Sequence, residues 1–231
     1  MHAISSQKVL YISYDGLTDP LGQSQILPYI TRLSKLGFQF TILSFEKRSR
    51  YIQEGKTIKA IVSNAGIEWV PLFFTGNPPI ISKLYDRYQM KKKVLALHRQ
   101  KAFNLVHCRS YVAAEMGLML KQQYGVKFLF DMRGFWADEK VDNGQWNLKK
   151  PFYKKLYRFY KKKEAAFLLA ADVIISLTEA ARTYLQQQEG YRHLAIDVIP
   201  CCADLDHFNY ESVAQEEVDG VKKKLGIPPN K

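Results

Sequence analysis

The sequence predicts an α/β fold built on a doubly wound parallel sheet. Short runs of apolar and β-branched residues alternate with longer segments in which apolar residues recur at helical spacing. Most of the short runs are apolar at nearly every position, as expected of strands that are covered on both faces. Alternation of this kind indicates βαβ units, whose parallel strands are joined by right-handed crossovers.

Seven strands are predicted, and most of them lead through a loop into a helix. The strands cover residues 8–13, 40–45, 67–72, 104–108, 127–131, 172–178 and 195–200. The helices cover residues 26–36, 50–64, 80–100, 110–124, 148–171 and 179–188, with a further one at about 212–225. Ligands of such sheets bind at the carboxyl ends of the strands, so the loops that follow the strands are where function is expected.

Charge and cysteine content restrict the class of protein. The 231 residues carry a formal net charge of +12, which favours a polyanionic partner. The N-terminal MHAISSQK lacks the order of a secretion signal, and the apolar stretch 165–175 is too short to span a bilayer. Cys108, Cys201 and Cys202 favour a reducing compartment, and their spacing predicts no metal site. We expect a cytoplasmic protein, peripheral to the inner face of a membrane.

The loop after the first strand reads DGLTDPLGQSQ and contains Gly16 and Gly22. Their spacing matches neither the dinucleotide fingerprint nor the P-loop. Glycine backbone still permits close approach of a ligand, and a helix that begins near Ser24 or Gln25 favours an anion at its N-terminus. Two interpretations remain open for this loop: it binds an anionic ligand, or it is a turn with a satisfied cap.

The fourth strand ends in HCRSY, which places His107 and Arg109 where a ligand of the sheet is expected. The guanidinium group of arginine offers a fixed fork for phosphate or carboxylate. The alternative is a pair of surface residues at a strand end.

The fifth strand leads into FDMRGFWADE, the densest polar cluster of the chain. The cluster surrounds Gly134 and two aromatic residues, Phe135 and Trp136, and its charged members are Asp131, Arg133, Asp138 and Glu139. Aromatic faces beside hydrogen-bonding side chains suit a sugar or another flat ring. The alternative is that the two acids simply pair with Arg133.

The segment KKPFYKKLYRFYKKKEAAF predicts a helix with one apolar face and one cationic face. Phe152, Leu156, Phe159, Tyr160 and Phe167 form the apolar face, and Lys154, Lys155, Arg158, Lys161 and Lys162 form the cationic one. The cationic face is either simply solvated or attracted to anionic lipid headgroups. No nucleic-acid-binding signature accompanies the charge, so nucleic acid is not the expected partner. Glu164 falls on the apolar side and needs a cationic neighbour if it is buried.

Five segments in this order resemble the N-terminal half of a GT-B glycosyltransferase of family 4. They are DGLTDPLGQSQ, HCRSY, FDMRGFWADE, AADVIISLTEAA and VIPCCADLDHF, and the similarity spans residues 8–208. In the last segment Ile199, Pro200, Asp204 and Phe208 match the family's interdomain pattern, while Cys201 and Cys202 replace its usual Asn and Gly.

The resemblance implies a Rossmann-like, acceptor-binding domain at residues 1–200. Residues 201–231 are then the interdomain linker and the start of a C-terminal donor-binding domain that lies beyond the chain. The implied activity is retaining transfer from a nucleotide diphosphate sugar to a glycan or lipid-linked acceptor in polysaccharide or glycoconjugate synthesis, without a metal cofactor. This half alone is expected to be inactive. The alternatives are a GT-B-type nucleotide-sugar 2-epimerase and a non-enzymatic basic module that binds membrane or RNA.

The resemblance also assigns roles to residues. Gly16, Gly22, Gln23 and Ser24 correspond to a loop near the donor phosphate and the acceptor, and Arg109 and Ser110 line the acceptor side, next to His107. Arg133 stands where many members place a histidine, and it would bind charge rather than move protons. Asp138 and Glu139 are the candidates for the acidic catalytic function.

Glu46 and Glu54 show the Glu-x7-Glu spacing that the family uses in its second domain. They follow the second strand, in the wrong half and without the glycine and proline context of that motif. We therefore do not assign them a catalytic role.

Overall fold

The computed structural model describes residues 7–202, 209 and 213–228. In that part of the chain seven parallel strands form one sheet, in the order β3-β2-β1-β4-β5-β6-β7. The strands are β1 Lys8–Ser13, β2 Gln39–Glu46, β3 Glu68–Phe73, β4 Leu105–Arg109, β5 Lys127–Asp131, β6 Val173–Ser176 and β7 Ile196–Val198. All seven predicted strands are present, each within two residues of its predicted bounds. The doubly wound parallel sheet is confirmed.

Helices connect the strands and cover both faces of the sheet. They are α1 Pro20–Gln25, α2 Leu27–Ser34, α3 Arg48–Asn64, α4 Pro79–Lys101, α5 Ser110–Tyr124, α6 Trp136–Asp142, α7 Pro151–Ala170 and α8 Glu179–Gln186, with a 3-10 turn at Glu189–Tyr191. A further helix, α9 Gln215–Leu225, follows the last strand along the chain. Besides α1, which lies wholly before the first predicted helix, only α6 has no counterpart among the predicted helices. It is seven residues long, too short to show an apolar stripe at helical spacing.

The first helix begins earlier than predicted and is broken in two. Pro20 occupies the first turn of α1, where its fixed φ angle suits a helix and its missing N–H costs nothing. Pro28 stands at the start of α2 and cannot donate a hydrogen bond back into α1, which separates the two helices at Ile26. The N-terminus predicted near Ser24 or Gln25 is therefore wrong.

Two hydrophobic clusters form the core, one on each face of the sheet. Along β1 the side chains alternate: Val9 and Tyr11 pack towards α2 and α3, and Leu10 and Ile12 pack towards α4 and α5. This alternation follows from the pleat of a strand that is covered on both sides.

The register of the sheet brings the ends of three strands together. Ser13 at the end of β1 is paired with Arg109 of β4, and Arg109 is paired with Asp131 of β5. The strand order reverses between β1 and β4, and ligands of open α/β sheets bind at such a point. The loops after β1, β4 and β5 therefore share one crevice.

The chain divides into two compact units, Met1–Cys201 and Cys202–Lys231. The first contains the whole sheet. In the second, α9 ends at Gly226, which has a left-handed conformation. No helix of the described residues is both long and apolar enough to cross a bilayer. Asp204 and Phe208 of the predicted interdomain segment lie outside the described residues.

Candidate functional site

Close packing accounts for both glycines of the opening loop. A Cβ atom on Gly16 would lie 2.6 Å from a carboxylate oxygen of Glu46 and 2.8 Å from the carbonyl oxygen of Phe45. A Cβ atom on Gly22 would lie 2.1 Å from the carbonyl oxygen of Gly16. Real Cβ atoms do not come so near to backbone, so both positions need glycine.

The anion that this loop holds belongs to the protein itself. Glu46 is fully buried at the end of β2, and its carboxylate accepts hydrogen bonds from the backbone N–H groups of Leu17 (2.8 Å) and Thr18 (3.1 Å). The hydroxyl groups of Thr18 and Ser44 donate to the same carboxylate, at 2.5 Å and 2.6 Å. Four donors on one buried carboxylate fix the loop, so Glu46 has a structural role and is not half of a catalytic pair.

Gln23 and Ser24 lie on the exposed side of α1. The amide of Gln23 donates to the carbonyl oxygen of Thr18 (3.2 Å), and the hydroxyl of Ser24 donates to that of Pro20 (2.8 Å). Because α1 begins at Pro20, Ser24 is inside the helix rather than at its N-terminus. The next residue along, Gln25, is the one that turns towards the crevice.

Two arginines converge on Gln25 and Asp131 where the strand order reverses. The amide oxygen of Gln25 accepts from Nη2 of Arg109 (3.2 Å) and from Nη2 of Arg133 (2.6 Å). The carboxylate of Asp131 lies 3.7 Å from Nη1 of Arg109 and 3.8 Å from Nη1 of Arg133. One oxygen of this buried carboxylate, Oδ1, has no hydrogen-bond partner among the described residues. Such an unsatisfied buried acceptor is typical of a functional site.

Arg109 is charged although it is buried. Its Nε also contacts the carboxylate of Asp15, at 3.3 Å. Burial alone would lower the pKa of Arg109, but the neighbouring Tyr11, Asp131 and Asp15 outweigh burial and raise that pKa. Burial also raises the pKa of Tyr11, which keeps its hydroxyl protonated. The crevice therefore contains a permanent positive charge beneath its surface.

His107 does not emerge into the loop as the sequence led us to expect. It lies within β4, its ring packs edge-on against Tyr11 at 4.6 Å, and its Nε2 is 3.9 Å from Asp131. Nε2 makes no hydrogen bond to any described residue. With Asp131 and Arg133 it forms the polar end of an otherwise mostly apolar cavity of about 260 Å³ on the face of the sheet.

Ser110 and Arg133 both have left-handed backbone conformations, with φ angles of 66° and 64°. For residues other than glycine this region costs roughly 1–3 kcal/mol, and such strain is concentrated at functional sites. Ser110 follows β4 directly, and Arg133 comes two residues after the end of β5. Both strained positions therefore flank the same crevice.

The three residues predicted as catalytic line one cavity of about 660 Å³. Arg133, Asp138 and Glu139 contribute to its wall, together with Asp142 and with Thr178 at the start of α8. We call it the acidic cavity. The structure thus brings these three side chains together around one cavity.

The two candidate acids differ in their surroundings. Asp138 accepts hydrogen bonds from the hydroxyl of Tyr157 (2.6 Å) and from Nζ of Lys161 (2.8 Å), and the first of these raises the pKa of Tyr157 to about 12. Glu139 is exposed, its carboxylate lies against Gly134, and it has no cationic partner among the described residues. Glu139 is therefore the carboxylate that remains available to a ligand.

The cationic face of α7 is narrower than predicted. Lys154, Lys155, Arg158 and Lys162 are exposed. Lys161 instead turns inwards and forms ion pairs with Asp138 and with the buried Glu164, so its placement on the outer face is wrong. The reason is α6, which sequence periodicity did not reveal and which holds a carboxylate against this side of α7.

Glu164 has the cationic neighbour that its position required, and it is structural. Its second carboxylate oxygen accepts from the hydroxyl of Tyr111, which lies 3.0 Å from the carbonyl oxygen of Gly134. Phe152 and Phe159, which were expected in the core, are 67% and 49% exposed. The outer surface of α7 is therefore aromatic as well as basic.

Arg109 and Ser110 line a further cavity of about 300 Å³, between α4, α5 and α7. Five of the residues around it are aromatic, and the charged ones include Lys83, Arg87 and Lys163. We call it the aromatic–basic cavity. It adjoins the crevice at Arg109.

Sequence reasoning missed Gln25 and Glu46 as residues that organise the site, and it counted Asp131 in the polar cluster after the fifth strand without giving it a role. One signal marks two of them: Asp131 and Glu46 are each the acidic last residue of an otherwise mostly apolar strand. A carboxylate at the end of a buried strand must find donors nearby. Gln25 carried no such signal, because its role depends on two arginines far along the chain.

Comparison with solved structures shows the same fold in glycosyltransferases. The chain is similar to HepE of Anabaena, solved with UDP and glucose (TM-score 0.59, 12% identity, 95% of this chain and 50% of that one). It is similar to the sucrose-phosphate synthase of Thermosynechococcus elongatus (TM-score 0.64, 14% identity, 96% of this chain and 53% of that one). It is also similar to a glycosyltransferase of Rickettsia africae (TM-score 0.51, 14% identity, 98% of this chain and 51% of that one). The chain spans about half the length of these proteins.

No curated protein has a sequence similar to this chain. A family model does match it: that of Glycosyltransferase Family 4, over residues 25–207. The matched segment includes β2 to β7 and the loops after β4 and β5, and the sheet is that of a GT-B glycosyltransferase. The chain therefore belongs to glycosyltransferase family 4.

Proposed function

We propose that this chain is the acceptor-side half of a retaining glycosyltransferase. The enzyme moves a sugar from a nucleotide diphosphate sugar to a hydroxyl group of a glycan or a lipid-linked acceptor, in the synthesis of a cell-surface polysaccharide or glycoconjugate. Residues 1–200 are the acceptor-binding domain, and residues 201–231 lead into a donor-binding domain. Membership of the family supports the reaction class, and the UDP and glucose in the HepE structure support the class of donor.

The placement of two arginines is the observation that best supports this proposal. Arg109 and Arg133 meet around Asp131 where the strand order reverses, between the acidic cavity and the aromatic–basic cavity. Positive charge fixed in advance stabilises a diphosphate as it departs with its negative charge. The two guanidinium groups do this without a metal ion, since they remain protonated at any physiological pH.

Glu139 takes the acidic role in this scheme. Its carboxylate is exposed in the acidic cavity and free of ion pairs among the described residues, so it can accept a hydrogen bond from a sugar hydroxyl. Asp138 positions α6 against α7 through Tyr157 and Lys161. The acidic function that the resemblance suggested for the pair thus falls to Glu139.

The activity test uses the protein that carries both halves, supplied with UDP-, GDP- and ADP-sugars, and measures nucleotide release. Arg133→Met should lower kcat/KM by about 100-fold, the usual effect of removing one preorganised electrostatic group. Arg182→Met is the control, since Arg182 pairs with Glu179 and does not line the acidic cavity. Absence of transfer and of donor hydrolysis with every nucleotide sugar would refute the proposal.

The enzyme works, in this proposal, at the inner surface of a membrane. Besides the basic and aromatic side of α7, the adjoining α4 exposes Ile81, Leu84, Tyr85 and Tyr88, each at least half exposed. Arg87 of α4 and Lys163 of α7 bind the same carboxylate, that of Glu115 on α5, so both helices lie beside α5. Basic side chains beside exposed apolar ones suit an anionic lipid surface.

Vesicle flotation with phosphatidylglycerol tests this placement across a salt series. Charge reversal of four exposed cations of α7 should abolish flotation: Lys154, Lys155, Arg158 and Lys162. A control reverses four exposed cations that lie on or near the opposite face: Lys35, Arg50, Lys56 and Lys59. Flotation that survives the α7 substitutions, or that is lost equally in the control, would contradict the membrane role.

A further inference from the structure

The charges around the aromatic–basic cavity do not balance. Four cationic side chains line it, namely Lys83, Arg87, Arg109 and Lys163, against two carboxylates, those of Asp15 and Glu115. Excess positive charge in a concave site attracts an anion. The question is whether these cations are already neutralised by the protein.

Both carboxylates are already paired with cations of the protein. Glu115 accepts from Arg87 on one oxygen and from Lys163 on the other, the latter at 2.6 Å, and its side chain is only 12% exposed. Asp15 pairs with Arg109. One carboxylate thus pairs with two cations, and the side chains of Arg87 and Lys163, which line the cavity, each remain 30% exposed.

Lys83 has no anionic partner at all among the described residues. It stands one turn before Arg87 on α4, so the two side chains project from the same face of that helix. Asp86, the nearest acid along the helix, is buried and accepts hydrogen bonds from Tyr14 and from the backbone of Thr75. Nothing in the described chain therefore neutralises Lys83.

The remaining wall of the cavity is aromatic. Trp136 and Tyr160 pack together with their ring centroids 4.8 Å apart, and Tyr14 and Tyr111 face them from the other elements. Aromatic rings offer flat apolar surface to the carbon face of a sugar or to an isoprenoid chain. A ligand that matches this wall and the cations carries a phosphate next to such a group.

We propose that the aromatic–basic cavity binds a phosphate group of the acceptor. That this phosphate belongs to an acceptor rests on the proposed function, whereas the binding of a phosphate does not. A diphosphate-linked lipid and a water-soluble sugar phosphate share this chemistry. Lys83, Arg87 and Lys163 contact the phosphate, and Trp136 and Tyr160 contact the group attached to it.

Isothermal titration of this chain at low salt tests the proposal with two matched pairs of probes. Geranyl diphosphate is compared with geraniol, and glucose 6-phosphate with glucose. We expect binding of at least one phosphorylated probe and none of its neutral counterpart. Preference for geranyl diphosphate assigns the site to a lipid-linked acceptor, and preference for glucose 6-phosphate assigns it to a soluble one.

Substitutions locate the site. Lys83→Glu should lower the affinity for the phosphorylated probe by about tenfold, as expected for reversing a charge near the phosphate at a partly exposed site. Lys91→Glu, an exposed position on the same helix outside the cavity, makes the same change in net charge and should leave the affinity within about twofold. Lys163→Gln is the second variant. Wild-type affinity in both the Lys83 and Lys163 variants would overturn the proposal.

Failure of the cavity assignment can be distinguished from failure of the transferase proposal. If no sugar is transferred but Lys83-dependent phosphate binding is found, the cavity assignment stands and the transferase proposal falls. If the protein with both halves glycosylates a neutral acceptor and Lys83→Glu leaves the rate unchanged, the cavity assignment falls and the transferase proposal stands.

Discussion

Replacement of Glu46 by glutamine tests whether a buried carboxylate fixes the opening loop. The carboxylate receives the backbone N–H groups of Leu17 and Thr18 on different oxygens, and one hydroxyl group on each oxygen as well. Glutamine keeps the shape but turns one oxygen into an NH₂ group. In either orientation of the amide, one backbone N–H of the loop then faces another donor.

We expect Glu46→Gln to lower the free energy of unfolding by about 3 kcal/mol. A hydrogen bond to a charged group contributes roughly 1.5–3 kcal/mol, and a buried donor left without an acceptor costs roughly 1–3 kcal/mol. The hydroxyl groups of Thr18 and Ser44 can rotate and accept from the new NH₂ group, so only the backbone contact is lost in full. Glu46 is 0% exposed, and water cannot replace the missing acceptor.

Urea unfolding followed by circular dichroism measures the decrease in the free energy of unfolding. Hydrogen exchange at the backbone amides of Leu17 and Thr18 shows whether the opening loop is the part that is destabilised. Glu54→Gln is the control, because Glu54 lies eight positions further on and makes no ion pair or hydrogen bond within the described chain. Its effect should stay within about 0.5 kcal/mol, as for ordinary surface positions. A Glu46→Gln protein with an unchanged urea midpoint and slow exchange at both amides would refute the reasoning.

Three further substitutions test other contacts by the same unfolding assay. Gly22→Ala should cost about 2–3 kcal/mol because its Cβ would meet backbone at 2.1 Å, whereas Gly190→Ala has open space and should change little. Lys161→Met should cost about 2 kcal/mol by leaving a buried carboxylate without its cation, and an equal effect of Lys162→Met would contradict its inward placement. Burial acts to raise the pKa of Asp172, but hydrogen bonds from two lysines and a backbone N–H outweigh it and hold that pKa below its usual range. Asp172→Asn should therefore cost about 1 kcal/mol at pH 7. This difference is full above the pKa of about 4 of the unfolded carboxyl and shrinks as the pH falls below it, through the lower pKa of the folded protein; a difference that has not shrunk by pH 2 would contradict this.

The strands could be predicted because burial on both faces leaves a plain signal in the sequence. A run such as KVLYIS is apolar throughout, and a parallel sheet explains that composition. α6 escaped prediction because seven residues hold no more than two turns, too few to display a period. The early start of the first helix depends on Pro20, and the sequence does not distinguish it from Pro28, since both prolines favour a first helical turn.

The site was predicted at the level of loops and less well at the level of side chains. The carboxyl ends of neighbouring parallel strands must adjoin, so the loops after β1, β4 and β5 were bound to meet. Whether a side chain turns into the crevice depends on what it meets there. His107 points to the face of the sheet and Arg109 to Asp15, although the two are only two residues apart.

The opening loop illustrates what local sequence can and cannot specify. A strand, a glycine-containing turn and a helix predict backbone N–H groups that need an anion, and this requirement is met in the structure. The anion, however, is the side chain of Glu46, nearly thirty residues later, and no local pattern distinguishes an internal carboxylate from the phosphate of a ligand. Since the N–H groups of Leu17 and Thr18 are already occupied, a phosphate must find its positive partners elsewhere. Arg133 in the crevice and Lys83 in the aromatic–basic cavity are cations near this edge of the sheet, and under our two proposals the recognition of phosphate depends on such cations.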